Sequence, residues 1–209
     1  MRKISSLHQS SKWFVPVLPY LAVGLGLFWF RNAWVALVGF HLAIVLSLLL
    51  AGSNLPVRIL FKSNDLRWVV LSIILCSSAI SLYFLWSYFG ILSDLSAYVA
   101  SLGLNSSNWI LFIAYFVLVN PFIEEYFWRG YLGNLTKSLY VSDFAYAGFH
   151  ALILWNRAQT SSVIYSLTLL VLAGWFWRQM AREDGGLLAS VLGHMTADFM
   201  ILMTVYWKT

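Results

Sequence analysis

Cysteine is almost absent from this chain, and so is charge. The single Cys76 lies in an apolar run, which excludes an internal disulfide and any cysteine-based zinc cluster and reads as a packed core thiol. Charged residues make up 10% of the 209 positions, against about 25% in a soluble domain. With 61% hydrophobic and 18% aromatic residues and a mean hydropathy of +0.77, a soluble globular domain is excluded and an integral membrane protein is indicated. The net charge of +5 does not point to nucleic acid, because the basic residues lie between apolar spans and not on one soluble face. No internal repeat, no Gly-x-Ser-x-Gly elbow and no His-Glu-x-x-His motif occurs.

What is there is a succession of apolar runs, with eleven tryptophans suited to interfacial belts. Spans are predicted at about Trp13–Phe30, Ala33–Ala51, Trp68–Phe89, Trp109–Tyr131, Phe144–Trp155, Ser162–Trp177 and Leu187–Trp207. Leu92–Asn108 is too polar to cross and reads as a short helix at the interface, while Arg178, Arg182 and Glu183–Gly186 read as a polar hinge. The fold class expected is all-α, a polytopic transmembrane helical bundle of about seven spans plus that interfacial helix. The opening MRKISSLHQSSK resembles a signal-peptide n-region, but no convincing cleavage site follows, so the first span is expected to be retained. With the N-terminus in the cytoplasm, that side collects Arg2, Lys3, Lys12, Arg58, Lys62, Arg67, Arg129, Lys137, Arg178 and Arg182, against Arg31, Arg157 and Lys208 opposite. This is a positive-inside pattern. Compactness and short loops suggest a prokaryotic cytoplasmic membrane.

Phe122–Tyr131, reading FIEEYFWRGY, places two adjacent carboxylates and an arginine inside an aromatic run. Charge at such a depth is expensive and calls for a reason. Glu125 and Arg129 are four apart, the spacing at which a carboxylate pairs best with a cation on a helix. Glu124 is turned about 100° away and stays available for chemistry. Asn120-Pro121 predicts a kink. A structural ion pair fixing two helices is the alternative reading. His41, alone in its span, is assigned a helix-to-helix hydrogen bond and left out of the site.

Depth brings further residues in. His150 lies about 12 Å from the start of its helix and His194 about 10 Å from the start of its own, while Glu124 is about 7 to 8 Å before Arg129, all at ~1.5 Å per residue. Three spans thus set their rare ionisable groups at one level. His194 and Asp198 repeat the four-residue spacing. Histidine and carboxylate in a dry cavity can exchange protons, so a water activated by Glu and His is the economical nucleophile. No cofactor is called for. Zinc is the alternative, its ligands having to come from three separate helices.

These residues carry a family resemblance. Glu124-Glu125-Tyr-Phe-Trp-Arg129, then Tyr146-Ala-Gly-Phe-His150, then His194-Met-Thr-Ala-Asp198 resemble the three motifs of the CPBP family, Glu-Glu-x-x-x-Arg, Phe-x-x-x-His and His-x-x-x-Asn/Asp. That family includes the type II CAAX prenyl endopeptidases and bacteriocin-processing or self-immunity proteins, and is known for glutamate-type intramembrane proteolysis. The resemblance implies N-terminal spans over 1–108 and a catalytic core over 109–209 within one membrane domain. It implies that Glu124 and His150 activate water, that His194 and Asp198 stabilise the oxyanion, and that Glu125 and Arg129 brace the site. Tyr146 stands where Phe is usual, and Asp198 where many members have Asn. The implied partners are a peptide or membrane-protein substrate and the lipid bilayer. A non-catalytic membrane scaffold or immunity protein and a proton-coupled transporter are the competing functions.

Overall fold

The computed structural model describes residues 14–91 and 93–209. Helix α1 (Val17–Gly24) widens into a π-helical turn at Leu25–Trp29, and α2 spans Ala33–Leu50. Helix α3 (Leu66–Ser77) passes through a 3-10 turn into the short α4 (Ser81–Phe84), and α5 is Leu95–Ser101. Helix α6 (Trp109–Glu125) continues as a π turn over Tyr126–Tyr131, followed by α7 (Val141–Leu154), α8 (Thr160–Asp184) and α9 (Leu188–Lys208). Among the described residues there is no strand, only an isolated bridge between Ile91 and Ala158. Five helical runs are long and apolar enough to cross a membrane: Ala33–Leu50, Leu66–Phe84, Trp109–Tyr131, Thr160–Asp184 and Leu188–Lys208. Val17–Trp29 and Val141–Leu154 are shorter and also apolar. The polytopic helical bundle expected from the sequence is therefore the fold observed.

Helix ends fall where the local chemistry stops the backbone. Asn32 accepts a hydrogen bond from the Val35 amide and Asp65 from the Arg67 amide, each satisfying a free donor of the first turn of its helix. The Asp143 carboxylate reaches back to the Tyr140 amide at the start of α7. Helix α8 ends at Gly185, whose φ of +67° suits a residue without a Cβ.

The connections gather on two faces. On one, Ala33 bonds to the Leu102 carbonyl, Gln159 to the Gly90 carbonyl, and Arg157 lies 3.4 Å over the Tyr98 ring, tying α5 to the α7–α8 turn. On the other, segment 52–65 docks on the α8–α9 turn: the Asp184 carboxylate accepts from the amides of Asn64 and Asp65, and the amides of Leu187 and Leu188 donate to the carbonyls of Ile59 and Lys62. Gly186 lies so close to the Lys62 carbonyl that no Cβ fits. The Tyr126 hydroxyl donates to the Leu55 carbonyl from the π turn of α6.

Two expectations are corrected here. Arg178 is not part of a hinge: α8 continues seven residues past Trp177, to Asp184, and Arg178 is buried within it, paired bidentately with Asp143 at 2.7 and 2.9 Å. The break is confined to Gly185–Leu187. The third span is interrupted near Ser78 by the 3-10 turn. Of the basic residues assigned to one side, Arg129 and Arg178 are buried in ion pairs, while Arg2, Lys3 and Lys12 lie outside the described residues, as does the start of the first span at Trp13.

The core sits among α2, α6, α7, α8 and α9, around Phe40, Ile44, Phe127, Trp128, Tyr146, Phe149, Trp177 and Met180. Side chains such as Leu49, Leu50, Ile74 and Phe84 are largely exposed on the outside. An apolar core inside an apolar exterior is the pattern of a bundle solvated by hydrocarbon.

Candidate functional site

Helix α6 carries two neighbouring polar stripes, each built on four-residue spacing. Asn120, Glu124 and Trp128 form the first. The Asn120 amide donates to Glu124 Oε1 at 2.9 Å and the Trp128 indole N–H donates to Oε2 at 3.2 Å, so each oxygen of this buried carboxylate holds a neutral donor. Among the described residues Glu124 makes no ion pair. Glu125 and Arg129 form the second stripe, with Glu125 Oε1 2.9 Å from Arg129 Nη1.

That same Oε1 accepts from His194 Nδ1 at 2.9 Å. Glu125 therefore ties α6 to α9, and because a carboxylate oxygen accepts, Nδ1 of His194 carries the proton. His194 Nε2 points the other way, 3.5 Å from Asp198 Oδ1. Asp198 also lies 3.4 Å from the Asn120 amide nitrogen. The Arg129 guanidinium is clasped between two rings, 3.9 Å from the Tyr146 centroid and 4.9 Å from that of Trp177. Such faces favour a desolvated cation. Trp177 stacks on His194 at 4.8 Å.

Tyr146 joins the parts. Its ring contacts His150 at 5.2 Å on its own helix and His194 at 5.9 Å on α9, while holding Arg129. His150 Nδ1 lies 3.1 Å from the Tyr146 carbonyl. A carbonyl only accepts, so Nδ1 bears the hydrogen and Nε2 presents a lone pair. Phe149 packs against His150 at 4.0 Å and stacks on Trp128 at 6.1 Å, which links the His150 neighbourhood to the Glu124 clamp. Among the described residues no hydrogen bond joins His150 to Glu124.

The sequence-predicted residues thus fall into one region. Glu125, Arg129, His194 and Asp198 form a connected polar network, Glu124 adjoins it through Asn120, and Tyr146 brings His150 alongside. Sequence reasoning missed Asn120, Trp128 and Trp177 as site residues. The first two were open to detection as the positions four before and four after Glu124. Trp177 carries no local signal. His41 makes the expected interhelix hydrogen bonds, and its partners are Tyr115 and Asn120, both on α6.

Among the described residues no three His, Cys, Asp or Glu side chains gather to hold a metal ion. In the densest group Glu125 and Asp198 sit on opposite nitrogens of His194, so the three cannot share one coordination point.

Residues 106–200, from the turn before α6 to the middle of α9, match the family model described as Type II CAAX prenyl endopeptidase Rce1-like. No curated protein and no solved structure matches the chain. The matched segment contains every residue of the three motifs, together with Asn120 and Trp177. Over that segment, which is a little under half of the chain, this integral membrane protein of apolar helices is similar to the type II CAAX prenyl endopeptidases.

Proposed function

We propose that this protein is an intramembrane endopeptidase in which Glu124 and His150 activate the attacking water. The observation that carries the reading is the state of Glu124: a carboxylate 2% exposed, held by two neutral donors and given no cation, beside a Glu125 that has the Arg129 guanidinium and the His194 ring N–H. Burying a carboxylate without a counter-charge destabilises a fold, so a purely structural origin favours Glu125 and Arg129 but not Glu124. The two donors fix its orientation and leave further lone pairs free to accept a proton.

In the proposed reaction Glu124 takes one proton from water, with the lone pair of His150 Nε2 as the second acceptor, and the water oxygen adds to the peptide carbonyl carbon. The carbonyl π pair moves onto oxygen. His194, held through Nδ1 by Glu125, turns Nε2 toward Asp198, and an N–H at that position is the donor available to the oxyanion. Asp198 orients this nitrogen. On collapse the C–N bond breaks and the proton held by Glu124 passes to the departing amine. Glu125, Arg129, Tyr146 and Trp177 hold the geometry. The substrate class is a membrane-associated or secreted peptide, cut near the face that carries Arg58, Lys62, Lys137 and Arg182, the cytoplasmic face in a positive-inside orientation.

The test compares peptide termini in membrane and secreted fractions of cells carrying wild type, Glu124→Gln or His150→Ala at equal abundance. Termini present only with the wild type are expected, because a general base contributes about 10²- to 10⁴-fold. Unchanged termini with Glu124→Gln sink the reading in favour of a scaffold or immunity role. A lost phenotype with unchanged termini directs attention to transport.

A further inference from the structure

We infer that His41, on α2 and outside the family-matched segment, is a positioning residue of the site that acts through Asn120. The argument is one of hydrogen assignment. The Asn120 amide nitrogen, with two hydrogens, lies 2.9 Å from Glu124 Oε1 and 3.4 Å from Asp198 Oδ2. Both hydrogens therefore face carboxylates. The amide oxygen is turned to His41 Nε2 at 3.0 Å, and an amide oxygen only accepts, so Nε2 bears the proton. Nδ1 is left with a lone pair, and the Tyr115 hydroxyl lies 3.1 Å from it as donor. Donation then runs in one direction, from Tyr115 to His41 to Asn120 to Glu124 and Asp198.

The opposite assignment fails at the far end. Turning the amide over sets its oxygen against two carboxylates and requires the other tautomer of His41. The choice of tautomer on α2 thus selects which face of Asn120 meets the site. Water cannot take over the role of the imidazole, since His41 is 4% and Asn120 1% exposed. The ring is also steadied by Phe40 and Tyr115, with centroids at 5.9 and 5.6 Å. The effect on cleavage rests on Glu124 acting as proposed above, whereas the hydrogen assignment stands independently of it.

The test has two arms on the full chain in nanodiscs. The chain has four histidines, so ¹⁵N-histidine spectra with His41→Gln as the subtraction control identify the His41 ring. A neutral ring protonated at Nε2 is expected in the wild type, giving way to mixed tautomers in Asn120→Leu. A ring protonated at Nδ1, or at both nitrogens, overturns the assignment. In the second arm cleavage is read from the peptide termini, with thermal unfolding recorded alongside. His41→Ala is expected to slow cleavage about tenfold, the scale of one net hydrogen bond. His41→Gln, whose amide offers one donor and one acceptor, recovers part of that loss. The double variant His41→Ala/Asn120→Ala is no slower than Asn120→Ala alone. Additive losses in the double variant, or no recovery in His41→Gln, overturn the positioning role. Intact cleavage in Glu124→Gln removes the catalytic reading and leaves the tautomer result to be judged separately.

Discussion

Replacing Arg178 by Met should unfold the turn between α6 and α7 at a measurable loss of stability. Arg178 uses its whole guanidinium: Nε and Nη2 bind the two oxygens of Asp143, Nη1 donates to the carbonyls of Asn134 and Thr136, and Nη2 also reaches the carbonyl of Ser138. Both members of the ion pair have side chains 2% exposed. Removing one partner of such a pair costs about 3–5 kcal/mol, mostly because the other charge is left buried. The three carbonyls belong to a connection and can turn to water, so they add little. At about 2–4 °C per kcal/mol for a chain of this size, the unfolding midpoint should fall by about 6–20 °C. Arg178→Lys should recover only a minor share, since an ammonium has three donors and no fork. Removing both charges in Arg178→Met/Asp143→Leu should recover most of it. Tryptophan fluorescence in one detergent is a suitable assay, because the Trp175 indole donates to the Lys137 carbonyl in the same connection at 2.8 Å. A midpoint for Arg178→Met within 2 °C of the wild type, or a double variant less stable than the single, would refute the reasoning.

Glu125→Gln leaves Arg129 buried without its carboxylate and should cost about 3–5 kcal/mol; adding Arg129→Met should restore the midpoint but not cleavage, and restored cleavage contradicts the brace. Gly193 meets the Ser72 hydroxyl with no room for a Cβ, and the Ser72 Cβ and Trp177 indole nitrogen are also close, each 3.0 Å from where it would lie, so Gly193→Ala should destabilise by about 1–3 kcal/mol, and Ser72→Ala in the same chain should relieve part of it; a double variant as poorly accumulated as the single counts against that contact. Asp65 is held below the usual carboxylate range by hydrogen bonds from the Arg67 side chain and amide. Its depressed value makes a stabilising contribution that is present above the unfolded pKa and lost as pH falls through the folded one. Asp65→Asn should therefore flatten only the acid limb of a stability–pH profile, and an effect confined to alkaline pH contradicts the sign.

The parts of the fold legible from sequence are those written within one helix. Apolar runs located the spans because hydrocarbon solvation leaves few other places for such residues, and Glu125–Arg129 was readable because four-residue spacing sets both on one face. Arg178 misled for the opposite reason. A cation near the end of an apolar run reads as a flank until its partner is known, and Asp143 lies 35 residues earlier. Asn120 read as part of a proline kink, since its contacts with His41 and Asp198 span 79 and 78 residues and have no local trace. The π turn that extends α6 from Tyr126 likewise has no mark in the residue pattern, and the partner of the Tyr126 hydroxyl, the Leu55 carbonyl, lies 71 residues earlier.

The docking of segment 52–65 on the α8–α9 turn has a mechanical meaning. Helix α9, which bears His194 and Asp198, begins at amides bonded to Ile59 and Lys62, and α8 ends at a carboxylate bonded to Asn64 and Asp65. A load applied at the C-terminus is therefore transmitted not only along the chain into α8 but sideways into the link between α2 and α3. Drawn out of a bilayer from that end, the protein should not peel one helix at a time. The first large rupture should release α9 together with its lateral anchor, and His194 and Asp198 would keep their register until that event.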